Sequence, residues 1–259
     1  MAEDAALSKD GALPSYCKVK LNQLLGRGAA VTLSTSRTPA SLLEASAGLE
    51  LTLPVIVLSG AALYDGKTKT YAHLTPLDRD AAEKVLSVLD EHGRTPFVYT
   101  VIHEVLHIFH GDFTAAEEEA FYHSQRTLAH QSSVYGSPPK NAPPLCIVTL
   151  DTRENTARLR RRLQETEVAQ KIRVFVRPDP AHEGLCFLTV LHAQATVENA
   201  AGWLCEQKGL RWIWQAAWDG ERICVTEKGE PSRFPAKPEE AVRLMEKRFH
   251  QPRKEKPAE

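Results

Sequence analysis

The chain has 259 residues, of which 42% are hydrophobic and 25% charged, a mixture typical of a globular protein with a sizeable core. The formal net charge is −1, so no overall positive field would attract nucleic acid or an anionic membrane, and no run approaches the ~20 apolar residues of a membrane span. The five cysteines are odd in number, widely spaced and without a CxxC pair, which argues against a disulfide framework or zinc finger and favours a reducing cytoplasm.

The N-terminal third has the rhythm of a β–α–β unit. A short helix at 19–28 is stopped by glycine, and two apolar, β-rich runs at 29–34 and 53–58 flank a helix at 39–48. Nearly continuous apolar strands of this kind are typical of a buried parallel sheet. We therefore predict an α/β fold with a parallel central sheet.

Polar residues follow both predicted strands. Thr35-Ser36-Arg37 comes after the first strand and Ser59-Gly60-Ala61 after the second. Ligands bind beyond the carboxyl ends of parallel strands, and a hydroxyl with backbone N–H groups at a strand-to-helix turn can hold a phosphate or another anion. Thr35 could equally serve only as a turn or N-cap hydroxyl.

Periodicity predicts the remaining elements. A polar hairpin at 63–74 precedes an amphipathic helix at 78–92, for which Asp78 is a suitable N-cap. The segment at 96–110 alternates as a strand does. Further helices are predicted at 114–127, 153–165, 197–208 and 238–249, and strands at 145–150, 172–177, 185–191, 211–217 and 222–226.

The stretch AAVTLSTSRTPASLLEASAGLELTLPVIVLSGAALYDGKT resembles the Cof-type branch of the haloacid dehalogenase-like (HAD) superfamily. That branch reads strand, Thr-Gly-Arg-Pro, helix, Leu-Pro-strand, then Asn-Gly-Ala-hydrophobic-Tyr-Asp. LTPLDRDAAEKVLSVLDEHGRTPFVYT is similar to the start of the family's cap, and GLCFLTVLHAQATVENAAGWLCEQKGL to the return into the core. The resemblance covers most of 19–210. It implies a Rossmann-like core at 1–77 and 192–259 with an inserted α/β cap at 78–191.

The resemblance also implies phosphoryl transfer through an aspartyl-phosphate. In that chemistry one Asp attacks phosphorus and a second, two residues on, handles the proton of the leaving group. A Thr or Ser and a Lys hold the phosphoryl oxygens, and a later acidic pair holds Mg²⁺ with the nucleophile.

Only part of that set matches this sequence. Asp10 falls at the acid/base position, with Ser8 at the nucleophile's position, although this segment could equally be an N-terminal tail without regular structure. Thr35 matches the phosphate-binding hydroxyl. Ser36, Arg37, Ser59 and Gly60 match the substrate-contact segments, with serine replacing the glycine of Thr-Gly-Arg and the asparagine of Asn-Gly-Ala.

The later motifs depart further from the family. Val197 falls at the position of the lysine. Asp219 falls at the first metal-ligand position and Ile223 at the second, but Asp219-Gly220 between apolar runs is also a strong β-hairpin turn, which we prefer. An upstream strand missing from this sequence could carry the true nucleophile.

Residues 103–107 read His103-Glu104-Val105-Leu106-His107, a literal HExxH. On a helix this motif would bind zinc and indicate a metalloprotease, with Glu104 as general base and Glu117, Glu118 or Glu119 as a further ligand. The residues before it are β-branched and aromatic, which predicts a hairpin strand instead. In a strand the two histidines would lie ~13 Å apart, too far to share one metal.

The sequence therefore predicts a cytoplasmic HAD-family protein that has lost most or all phosphatase activity but can bind a small phosphorylated or anionic ligand. Mg²⁺ would be needed only for residual activity. Two alternatives stay open: an active phosphatase acting on small phosphorylated metabolites, and a zinc metalloprotease.

Overall fold

The computed structural model describes residues 13–179, 181–211, 214–218, 223–227, 230–233 and 235–250. They form two compact units. The described part of the first unit comprises 13–35, 42–55 and the residues from Ala201 onward, and the second comprises Ser36–Ser41 and Ile56–Ala200. Among the described residues, no helix is both long and apolar enough to cross a membrane.

The first unit is built around a pair of helices. Helix α1 (Ser15–Gly26) packs on α7 (Pro238–His250), and Lys20 Nζ lies 3.0 Å from Glu246 Oε1. Buried apolar side chains join the two helices: Leu13, Cys17, Leu21, Leu25, Val31 and Val242. The antiparallel strands β10 (Trp214–Trp218), β11 (Ile223–Glu227) and β12 (Glu230–Arg233) form a three-stranded sheet. Strand β12 was not predicted from the sequence.

Three elements span or adjoin the borders of the units. Helix α2 is Pro39–Ala45, strand β1 is Val55–Val57, and helix α6 is Val197–Lys208. Strand β1 leads into a tight turn at Leu58–Gly60. It shares a three-stranded sheet with β2 (Ala62–Asp65) and β3 (Thr70–Leu74), which form the predicted antiparallel hairpin.

A six-stranded sheet forms the centre of the second unit. Its order is β6-β5-β4-β7-β9-β8, and its neighbouring strands are antiparallel except for the parallel pair β5–β6. The strands are β4 (Phe97–Ile102), β5 (Val105–His110), β6 (Gln131–Tyr135), β7 (Cys146–Thr152), β8 (Ile172–Pro178) and β9 (Leu185–His192). The helices are α3 (Arg79–Glu91), α4 (Ala116–Arg126) and α5 (Arg153–Gln164).

One face of this sheet carries the main hydrophobic core. Helix α3 places its buried side chains at helical spacing, and these pack with apolar residues of α5. The sheet contributes alternate residues of its central strands, because successive side chains of a strand point to opposite faces. They include Val98, Ile147, Leu188 and Val190. The side chains on the opposite face of the sheet are not part of this core.

The α/β fold class is confirmed, whereas the predicted strand at 29–34 is wrong. Only Ser34 forms a bridge there, and the rest of the segment lies outside regular secondary structure. Pro54 has no N–H to donate to a strand ladder, and its carbonyl accepts a hydrogen bond from Thr32 Oγ1 at 2.6 Å. A side-chain hydrogen bond thus connects the two segments for which parallel pairing was predicted.

Asp78 precedes α3 as predicted, but its side chain does not cap the helix. It lies 3.8 Å from Lys171 Nζ and 4.0 Å from His192 Nε2 instead. The carboxylate thus lies beside the ammonium group of Lys171, which also pairs with Asp80, rather than over the first turn of α3.

Candidate functional site: a pocket on the sheet

The face of the six-stranded sheet opposite the main core lines a pocket of about 110 Å³. We call it the Arg37–Arg177 pocket after its two cationic residues. All its lining residues belong to the second unit. They come from the sheet, from Phe121 and Gln125 of α4, and from the segments at 36–41 and 58–59.

Strand register explains why distant parts of the chain meet here. Side chains of β8, β9, β7 and β4 lie beside one another because their strands are paired and each contributes every second residue. The paired lining residues are Arg177 and Phe187, Phe175 and Thr189, Val148 and Thr189, Cys146 and Leu191, and Tyr99 and Cys146.

The segment at 36–41 supplies hydroxyl groups and one arginine. Ser36, Arg37, Thr38 and Ser41 line the pocket, and Arg177 Nη1 donates to Ser36 Oγ at 2.6 Å. Helix α2 has only seven residues and begins with a proline, and Thr38 Oγ1 accepts from the Ser41 N–H at 3.5 Å. An anion here would therefore be bound by side chains rather than by the end of the helix.

The electrostatic character of the pocket is cationic. Arg177 Cζ lies 5.7 Å from the ring centroid of Phe187, a cation–π contact that helps to position the guanidinium. Burial raises the pKa of Tyr99, and that of Cys146, well above their usual values. Both groups therefore stay protonated near neutral pH, so Tyr99 can donate a hydrogen bond while Cys146 is not a thiolate nucleophile.

A strained turn carries Ser59 to the pocket. Leu58 and Ser59 have φ of +50° and +55°, unusual for residues with side chains, and Gly60 has φ of +99°. Arg173 holds this turn: its Nη2 donates to the Ser59 carbonyl at 2.8 Å and also to the carbonyl of Ala195. Burial lowers the pKa of Arg173, but a guanidinium remains charged at neutral pH.

The structure brings together some of the residues singled out from sequence. Ser36, Arg37 and Ser59 line one pocket, and Gly60 follows Ser59 in the strained turn. Thr35 is buried and belongs to the first unit. The remaining two are outside the described residues: Asp10 and Asp219.

Sequence reasoning missed the larger part of the pocket, including Arg177, Tyr99, Phe175 and Phe187. The available signal was the alternation in β8 and β9, in which Phe175 and Arg177 share one face, as do Phe187 and Thr189. Alternation alone does not say which face of the sheet packs on helices. The signal therefore shows which residues share a face but not that this face lines a pocket.

The HExxH motif forms a β-hairpin, as predicted, rather than a zinc-binding helix. His103 and Glu104, with φ of +49° and +62°, are the two turn residues between the paired Ile102 and Val105. His103 is thus in the turn rather than on the extended segment, while His107 lies on β5. Glu104 Oε2 accepts from the Tyr71 N–H at 2.5 Å.

One of the three candidates for a further zinc ligand, Glu118, has another role. Glu118 is fully buried, and its Oε2 accepts from the Thr114 N–H at 2.7 Å and from the Ala115 N–H at 3.3 Å at the start of α4. Within the described part of the chain, no three His, Cys, Asp or Glu side chains are grouped so that they could hold a metal ion.

The sequence profile of haloacid dehalogenase-like hydrolases matches residues 4–180. The chain belongs to this family, and the resemblance seen in the sequence is confirmed. No protein in a search of curated sequences matches it.

Solved structures of this family have a similar fold. A haloacid dehalogenase-like hydrolase from B. subtilis is 15% identical, with 82% of this chain and 78% of that chain covered and a TM-score of 0.60. A HAD/COF-like hydrolase from Plasmodium vivax is 14% identical, covering 81% and 73%, with a TM-score of 0.58. A sugar phosphatase of HAD subclass IIB is 14% identical, covering 77% and 70%, with a TM-score of 0.54. At these identities the likeness establishes the fold.

Proposed function

We propose that this protein binds a small phosphorylated or otherwise anionic molecule in the Arg37–Arg177 pocket and has little or no phosphatase activity. One observation carries the proposal. The described lining of the pocket contains two arginines and several hydroxyl groups, but no Asp, Glu, His or Lys. Such a set suits the binding of an anion better than acid–base or nucleophilic chemistry.

Guanidinium groups favour phosphate because their planar N–H donors match two phosphoryl oxygens at once. Ser36 already accepts a hydrogen bond from Arg177, and this bond places a hydroxyl beside the cation. The neutral Tyr99 hydroxyl adds a donor that does not repel an anion. Charge-assisted bonds of this kind are roughly twice as strong as neutral ones.

The impairment follows from the residues at the family's catalytic positions. By the sequence match, Ser8 replaces the nucleophilic carboxylate and Val197 replaces the lysine, while Lys208 lies at the far end of the same helix. Covalent attack and electrostatic stabilisation act as a unit in such sites, so losing both should leave little acceleration.

Magnesium does not fit the described residues. The family binds Mg²⁺ through carboxylates, and the described part of this chain has no cluster of three metal-binding side chains. The two candidate ligands, Asp10 and Asp219, are outside the described residues. No step of the proposal therefore depends on a metal ion.

Two further expectations belong to the same proposal. We retain the division into a core at 1–77 and 192–259 and a cap at 78–191, which the family relationship supports. The cytoplasmic location is supported by Cys17, Cys146 and Cys186, which are buried and are not joined in disulfide bonds.

An active phosphatase is the second candidate, because family membership favours hydrolase chemistry and one solved relative is a sugar phosphatase. In that case Asp10 and Asp219 would serve as acid/base and metal ligand. The two candidates differ in turnover, whereas both require an anion to bind.

Calorimetric titration with inorganic phosphate tests the binding proposal. We expect saturable binding to the wild type and a roughly tenfold or greater loss of affinity in both Arg177→Gln and Arg37→Gln, because each removes a charged donor. Arg160→Gln is the matched control, since Arg160 is an exposed arginine of α5 outside the pocket. Absence of phosphate binding to the wild type, or equal affinity in all four proteins, would contradict the proposal.

A further inference from the structure

Aromatic rings form a large part of the Arg37–Arg177 pocket. Tyr99, Phe121, Phe175 and Phe187 all line it. Phe121 packs against Phe187 with ring centroids 5.1 Å apart and planes inclined by 56°. Phe187 is buried, but Phe121 and Phe175 are only half-buried, so both keep surface that a ligand could cover.

The polar groups of the pocket are unevenly distributed. Most of its hydroxyls come from the segments at 36–41 and 58–59, and Gln125 is the amide side chain among the described lining residues. A sugar presents hydroxyl groups around its whole ring, and each one that is buried without a partner costs free energy. The rings of Phe121, Phe175 and Phe187 offer no partner for such hydroxyls and a large apolar surface instead. Among the described residues, the sheet adds only Arg177, Tyr99 and Thr189 as polar lining residues.

The size of the pocket limits the ligand. Its volume of about 110 Å³ is somewhat below that of a cavity of roughly 150 Å³ that holds a benzene molecule. One ring would therefore occupy most of the space, and an anionic substituent on it could reach the arginine beside the rings, because Arg177 Cζ lies 5.7 Å from the Phe187 ring centroid in the same pocket.

From these observations we propose that the ligand of this site is an organic phosphate, or a similar oxyanion, that carries a single flat, largely apolar ring. Its ring lies against Phe121 and Phe175, and its oxyanion is bound by Arg37 and Arg177. This inference rests on the proposed function and narrows the proposed ligand from anions in general to anions that carry a flat, largely apolar ring. It also separates the protein from the solved relative that is a sugar phosphatase.

Titration with matched phosphonates tests the inference without any chemical reaction. Phenylphosphonate and methylphosphonate carry the same anionic group and differ in the ring, and glucose 6-phosphate serves as the sugar comparison. We expect phenylphosphonate to bind about tenfold or more tightly than methylphosphonate, and more tightly than glucose 6-phosphate, because only its ring covers aromatic surface.

Substitutions in the pocket test which residues cause the tighter binding of phenylphosphonate. Phe175→Leu and Phe121→Leu should each reduce the affinity for phenylphosphonate by roughly three- to tenfold while that for methylphosphonate stays the same. Phe113→Leu is the control, because Phe113 stacks with His110 in the same unit but does not line the pocket. Two pocket variants on different elements keep the test valid if one of them fails to fold.

The outcomes separate the two proposals. The proposal of a flat apolar ring would be overturned by equal affinity for the two phosphonates or by tighter binding of glucose 6-phosphate. It would also be overturned if both pocket variants kept the wild-type ratio of affinities for phenylphosphonate and methylphosphonate. In each case anion binding itself would stand. Absence of binding by all three compounds would overturn the proposed function as well.

Discussion

Replacing Gly60 by alanine should destabilise the protein through a clash that the structure defines. Gly60 has φ of +99°, and an added Cβ would lie 2.7 Å from Val197 N and closer still to the carbonyl carbon and oxygen of Thr196. These are backbone atoms, so no side chain can rotate away to make room. The turn that carries Ser59 and the start of α6 would have to separate.

The expected magnitude has two parts. Positive φ costs a non-glycine residue about 1–2 kcal/mol. Overpacking that moves the backbone typically adds about 1–3 kcal/mol. Together they predict a loss of about 2–5 kcal/mol in the free energy of unfolding, or a fall in Tm of roughly 4–20 °C for a chain of this size.

Gly184→Ala is the matched control. Gly184 has φ of +84°, but an added Cβ would have no atom within 4 Å, so this variant reports the cost of positive φ alone. Thermal and urea unfolding of both variants should show a loss for Gly60→Ala larger by about 1–3 kcal/mol. If the two variants lose equal stability, the close approach of Gly60 to the start of α6 does not exist as described.

The remaining predictions concern Asp151, a fully buried carboxylate that accepts hydrogen bonds from Arg94, Asn155 and the Thr152 N–H. Asp151→Asn should cost about 3 kcal/mol at pH 7, because Arg94 loses its closer carboxylate, at 3.1 Å, and keeps only the contact with Glu118 Oε1 at 3.9 Å; urea unfolding against wild type measures the loss. Burial acts to raise the pKa of Asp151, but its hydrogen bonds with Asn155 and Thr152, and Arg94, outweigh burial and lower it. Because the folded-state pKa is the lower one, this stability is present above about pH 4 and is lost as pH falls through that pKa. Between pH 6 and pH 3 the free energy of unfolding should therefore fall more steeply with pH in wild type than in Asp151→Asn. If the two proteins show parallel pH dependence, the Asp151 carboxylate does not have this stabilising role.

Much of the fold could be predicted from sequence because the relevant signals are local. The apolar spacing of Ala81, Val85 and Leu89 fixes α3, and the β-branched residues before His103 favour the hairpin over a zinc helix. The prediction failed at 29–34, where a run of apolar residues reads as a strand. Whether such a run forms a strand depends on the segment that lies beside it. Here that segment contains Pro54, which has no N–H to donate to a strand ladder.

The candidate site was predictable only where it lies on segments that follow family motifs. Ser36, Arg37 and Ser59 could be selected in this way. Arg177 and Phe187 could not, because their position depends on the register between β8 and β9 and on which face of the sheet the helices cover. Pairing between strands is a long-range property, and no residue spacing within either strand records it.

The most direct test of the central claim, anion binding without phosphatase chemistry, is the rate of phosphate release from a generic aryl phosphate in the presence of Mg²⁺. It should be measured for wild type, Thr35→Ala and Asp10→Asn, on protein samples that bind phenylphosphonate. We predict that all three proteins turn over the substrate at or near the background rate, because the serine and valine at positions 8 and 197 can neither form an aspartyl-phosphate nor neutralise the transferring group. Robust Mg²⁺-dependent release by the wild type that either substitution abolishes would contradict the account and identify the protein as an active phosphatase.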